Sequence, residues 1–240
     1  YNVAIGSNAG DAITTADRNI AIGVNALKVH TTGVNNIAIG FGAMDDTDAG
    51  STSLGSVENT FIGVDSGGGT WADVASNYNV GIGSYTMDAA MNGAIGNVAA
   101  GYQALSALTT GDQNVAIGLQ AGVTMTTPER NVLVGAYAGQ VINTGGQNTM
   151  MGDNAGVAST TASGSVFLGR LAGGTNTTGN MNISIGYDSM NGGTTTGDNN
   201  IAIGVSAGVA LTSGYSNILM GQDAGGATTT GANNVMIGPS

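Results

Sequence analysis

The sequence predicts an all-β, parallel β-solenoid of about fourteen rungs, each 17 residues long. Three observations carry that expectation. A pentapeptide of the form Asn-(Ile/Val)-Ala-Ile-Gly recurs from Asn2–Gly6 to Asn234–Gly238. Its spacing is nearly constant. Glycine is abundant, at 43 of 240 residues, while only 8% of residues are charged. A fixed short period means stacked units that cannot bury their apolar faces alone. Low charge does not mean disorder here, because apolar residues make up 41% of the chain and are periodic.

The register is marked by the residue heading each copy: Asn2, Asn19, Asn36, Asn59, Asn79, Asn97, Asn114, Asn131, Asn148, Ser165, Asn182, Asn200, Asn217 and Asn234. Nine of the thirteen steps are 17 residues. The chain therefore reads as one repeat domain, 1–240, with regular rungs over 1–40 and 97–238 and irregular rungs over 41–96. The long steps, 23 and 20 residues, place loop insertions within Asp45–Glu58 and Ser66–Tyr78.

Within a rung, the pentapeptide reads as a short strand closed by a glycine that turns without a Cβ clash. The following Ala (Ala26, Ala121 and Ala207, for example) suits a tight place in a second strand, and Thr-Thr-Gly ends that strand in a turn. Two strands and two turns per rung make a flattened roll with two parallel sheets. The heading Asn residues, among them Asn2, Asn19, Asn36, Asn114, Asn131, Asn148, Asn182, Asn200, Asn217 and Asn234, read as a structural amide ladder.

The flanking Ile/Val pair is assigned to the roll interior. The middle residue then faces outward, and its column is apolar: Ala116, Leu133, Met150, Phe167, Ala202, Leu219 and Met236. A strand apolar on both faces is buried on both, so this column is expected in an interface between copies of the chain. A homo-oligomer follows, with three chains around one axis as the leading arrangement.

These residues resemble the repetitive heads of trimeric autotransporter adhesins, whose repeat centres on Asn-x-Val-Ala-Ile-Gly; Asn2–Gly6 and Asn114–Gly118 match that core. The stretch from Thr195 to Gly208 is even more similar to repeats of phage tail fibres. The resemblance implies a left-handed, trimeric β-roll, extracellular, on a cell surface or on a virion, acting as an adhesin or shaft. The 17-residue period departs from the shorter autotransporter repeat and suggests a different cross-section. The chain starts and ends near a repeat, as expected of a processed product or a segment of something longer.

Chemistry-bearing residues are few. Trp71, Tyr78 and Tyr85 cluster at the second insertion and are the candidate contact for a host glycan or protein; the plainer alternative is that Trp71 seals a roll edge. Asp45, Asp46 and Asp48 form the one carboxylate cluster and read as a solvated loop. His30 reads as a turn histidine without a partner. Gly81-Ile82-Gly83 lacks the rest of a phosphate loop. Asn176-Thr177-Thr178 and Asn182-Ile183-Ser184 match the glycosylation pattern by chance in an Asn- and Thr-rich chain. With one His, no Cys and no nucleophile–base grouping, no enzyme, cofactor or metal site is expected.

A net charge of −11 argues against nucleic acid, and no apolar run is long enough for membrane insertion. Two alternatives to an attachment fibre remain. One is an extracellular filament assembled end to end. The other is an ice-binding solenoid, using Thr pairs such as Thr14-Thr15 and Thr109-Thr110 as a hydroxyl ladder.

Overall fold

The computed structural model describes residues 1–47, 55–71 and 74–239. It is a parallel β-solenoid, with no helix among the described residues. The chain divides into two compact units, Tyr1–Thr127 and Pro128–Ser240. The first holds β1 (Val3–Ile5), β2 (Ile20–Ile22), β3 (Ile37–Ile39), β4 (Thr60–Ile62), β5 (Val80–Ile82), β6 (Val98–Ala100) and β7 (Val115–Ile117). The second holds β8 (Val132–Val134), β9 (Thr149–Met151), β10 (Val166–Leu168), β11 (Ile183–Ile185), β12 (Ile201–Ile203), β13 (Ile218–Met220) and β14 (Val235–Ile237).

Within each unit, every strand pairs in parallel with its sequence neighbours, position for position. Ala21 lies opposite Ala38, and Ala202 opposite Leu219. The 23-residue step from Asn36 to Asn59 leaves this register untouched, because Ile37 pairs with Thr60 and Ile39 with Ile62. Inserted residues therefore leave the ladder where it is.

Among the described residues the expected second strand is absent, and a stack of turns replaces it. In the β6 rung, Gln103 (φ 57°) and Leu105 (φ 51°) are left-handed, which no extended strand allows. Its N–H groups alternate. Ala104, Ser106 and Leu108 donate within the rung, to the carbonyls of Gly101, Gln103 and Leu105. Leu105, Ala107 and Thr109 donate to the next rung, at Ala121, Val123 and Thr126. Turn and ladder thus share the backbone donors. The Ala-Gly segments supply the small residues this requires and lack the β-branched run a strand would show.

The strand faces are also the reverse of the expectation. Ala116, Leu133, Met150, Phe167, Ala202 and Leu219 are fully buried inside the single chain, so they form its core and not a contact between chains. Met236, in the last strand, is partly exposed. The flanking Ile and Val residues face outward. Period-two geometry gives the reason: the heading Asn and the middle residue lie two apart and share a face. Once Asn is turned inward to satisfy its amide, the middle residue must follow.

That interior is narrow, and the sequence fills it by exchange. Where the strand centre is large, the residue six positions later is glycine, as in Phe61/Gly67, Leu133/Gly139, Phe167/Gly173 and Leu219/Gly225. In five of the eight rungs with a small centre a Leu or Met takes that place, as Ala21/Leu27, Ala38/Met44, Gly81/Met87, Ala99/Leu105 and Ser184/Met190; the other three, Ala4/Gly10, Ala116/Gly122 and Ala202/Gly208, keep glycine. A Cβ on Gly67 would lie 2.9 Å from the Phe61 ring, and one on Gly173 would lie 2.7 Å from Phe167. Leu27, Met44, Met87, Leu105 and Met190 all sit at φ between 43° and 51°. Left-handed backbone costs a non-glycine residue about 1–2 kcal/mol. Burying a Leu or Met side chain returns about 1.5–3 kcal/mol, which decides the matter in favour of filling the space.

Candidate functional site

The most continuous constellation of polar groups is the amide column. Asn97 shows the pattern. Its N–H and its Nδ2 donate to Asn79 Oδ1, both at 3.0 Å, and Nδ2 also donates to Gly111 O at 2.8 Å. Its own Oδ1 accepts from the N–H of Asn114 at 2.9 Å and from Asn114 Nδ2 at 3.1 Å. Asn200 repeats this in the second unit, bonding to Asn182, Gly214 and Asn217. Each carboxamide thus closes its own rung and clamps two neighbours. Ser165 takes the place of one amide: its N–H donates to Asn148 Oδ1, and its hydroxyl accepts from the N–H of Asn182.

His30 is tied into this column and has partners, contrary to the expectation of an unpartnered turn residue. It is fully buried. Asn36 Oδ1 accepts from the N–H and Nδ2 of Asn59, which fixes the orientation of the Asn36 amide. Asn36 Nδ2 therefore faces His30 Nε2 at 3.2 Å as a donor, and Nε2 must accept. The ring is then neutral with its proton on Nδ1, which donates to Thr47 Oγ1 at 2.9 Å. Protonating Nε2 would set one donor against another inside the ladder.

Trp71 is a core residue and not a surface contact. It is 1% exposed and packs edge-on against Phe61, with ring centroids 5.9 Å apart. Ala72 and Asp73, next to it, lie outside the described residues. Tyr78 is exposed, whereas Tyr85 is half-buried and stacks edge-on with Tyr102 at 5.7 Å. The three aromatics of the expected contact site are thus not all available to a ligand. Asn176 and Asn182 are fully buried and hydrogen-bonded to each other, which removes both glycosylation matches.

The carboxylates regroup. Asp48 lies outside the described residues, and Asp65 and Asp88 join Asp45 from the next two rungs. Burial, and then the charges of Asp65 and Asp45, push the Asp88 carboxyl up to about 6. Burial and the same neighbourhood raise Asp45, with Lys28 opposing. Among the described residues, no group of three or more acidic or imidazole side chains is placed to hold a metal ion. The Thr pairs divide their roles. The first hydroxyl donates to a carbonyl of the next rung, as from Thr109 to Thr126 O and from Thr160 to Thr177 O, both at 3.1 Å. The second Thr is exposed.

No family model matches this chain, and no curated protein matches its sequence. The surface chemistry must therefore be read from the chain itself. The residue after each strand-closing glycine forms an outward column that the sequence reading overlooked. In the first unit it runs Ser7, Val24, Phe41, Val64, Ser84, Tyr102 and Leu119. In the second it includes Asp153, Arg170 and Tyr187, where Arg170 Nε lies 3.3 Å from Asp153 and its guanidinium 5.5 Å from the Tyr187 ring. Reading the residue that follows each strand-closing glycine exposes the contrast from the sequence alone.

Proposed function

We propose that this chain is a non-enzymatic shaft segment of an extracellular or virion-borne fibre, used for attachment or spacing, and that it works as a homo-oligomer. The observation that carries this reading is the amide column. In each unit it spends the buried polar groups on joining one rung to the next, which is how a mechanical element is built. The resemblance to adhesin heads and tail-fibre repeats supports the same reading and favours three copies and a left-handed roll. The internal use of the first Thr hydroxyl at Thr14, Thr109, Thr160 and Thr177 counts against an ice-binding ladder.

Negative-stain electron microscopy of the purified chain tests the proposal. Elongated particles of uniform width are expected. Globular or branched particles would overturn it.

A further inference from the structure

We infer that the outward strand face of the first unit, widened by Val24, Phe41, Val64, Tyr102 and Leu119, is a contact surface for a second copy of this chain. The inference rests on the homo-oligomeric part of the fibre reading and gives it a location. Those five residues are each between 39% and 53% exposed. In a stacked ladder, the rungs above and below already cover much of every side chain, so such values mean the outward side is open.

Beside this column run the outer strand residues, such as Ile82 and Ile117, which are also exposed. No position of these columns in the first unit is charged. Seven rungs at about 4.8 Å, and about four residue steps across the face, give on the order of 450 Å² per copy in projection. Two such faces bury on the order of 900 Å² in all, which places the contact among weak, transient interfaces of less than about 1,200 Å² and sets the micromolar range of the test.

Periodicity selects the occupant. Every column repeats once per rung, so a partner that fills them over seven rungs must carry the same repeat, and another copy does. A lipid surface fits poorly, because the face has no rim of basic side chains. A glycan fits poorly, because hydroxyls occur there only at scattered positions such as Ser84 and Tyr102.

Light scattering and sedimentation velocity of the full chain, through the micromolar range, test the assignment. The unaltered chain is expected to associate. Ile82→Lys combined with Ile117→Lys is expected to weaken association at least tenfold with an unchanged circular dichroism spectrum, while Val205→Lys in the second unit changes it less than twofold. If the lysine pair fails to fold, Ile82→Thr with Ile117→Thr keeps the β-branch and is expected to weaken association in the same direction. A single-chain mass throughout the range overturns the inference. So does association that neither pair alters, or that Val205→Lys weakens equally. Capture of single chains by phosphatidylcholine vesicles assigns the face to lipid instead. Elongated particles of single-chain mass would leave the shaft reading standing and remove the homo-oligomer together with this surface.

Discussion

The two units are built on the same kind of interior and differ in what surrounds it. The first absorbs steps of 23, 20 and 18 residues and carries an apolar outer column; the second keeps close to 17 residues and carries an ion pair at the matching place. Strand register and amide bonding are the same in both. The inward positions therefore fix the fold, and rung length and outer chemistry are free to vary without disturbing it. The variants below separate what the units have in common from what sets them apart.

The largest effect is expected at the shared glycines. A Cβ at Gly101 (φ 130°) would lie 2.5 Å from Gly118 O, and one at Gly204 (φ 137°) would lie 2.5 Å from Gly221 O. Gly101→Ala and Gly204→Ala should each cost roughly 5 kcal/mol, because neither backbone nor neighbour can yield cheaply. Urea denaturation followed by circular dichroism measures this; a marked difference between the two would contradict a common interior.

Next comes the volume exchange. Phe167→Ala should cost about 3–5 kcal/mol. Adding Gly173→Leu should recover much of it, because the Ala99/Leu105 rung of the first unit already has that arrangement. A double variant no more stable than the single one would show that the pairing is coincidental.

A smaller gain is expected where the ladder is interrupted. Ser165→Asn should restore the missing amide and stabilise the chain by about 1 kcal/mol, read as a higher denaturation midpoint. No change would mean that the serine hydroxyl already serves as well.

The smallest effect belongs to the first unit alone. Asp88 has its carboxyl raised to about 6 from the usual 3.8. Its contribution to stability is fully present below the usual value and is lost as pH rises through about 6. Asp88→Asn should flatten that part of the pH–stability curve. A variant with the wild-type slope would assign the titration to another group.

The repeat, its period and the parallel single-chain stack were legible because the pentapeptide returns at an almost constant step. Which face points inward was not, since period-two alternation labels two faces without saying which is buried. Isoleucine suggested the core for the flanking pair, yet an Asn turned inward to satisfy its amide puts both of those residues on the opposite, outward face. The signal that settles it was present in the compensation between Phe61 and Gly67 or Ala21 and Leu27, which only two positions in the same cavity would show. Trp71 misled for a related reason. An aromatic in an inserted stretch suggests a protruding loop, but its place in the turn column, alongside Leu108 and Met125, is an inward one.

The amide column has a direction. Each Oδ1 accepts from the rung that follows and never from the one before, so the carboxamides of a unit all lean the same way, like arrows laid head to tail. Reversing one would set its Nδ2 against the next N–H, and the error would pass down the row. Ser165 is the exception. Its hydroxyl accepts from the N–H of Asn182 as a carboxamide oxygen would, and the N–H of Asn200 still donates to Asn182 Oδ1, so the row keeps its sense across the gap.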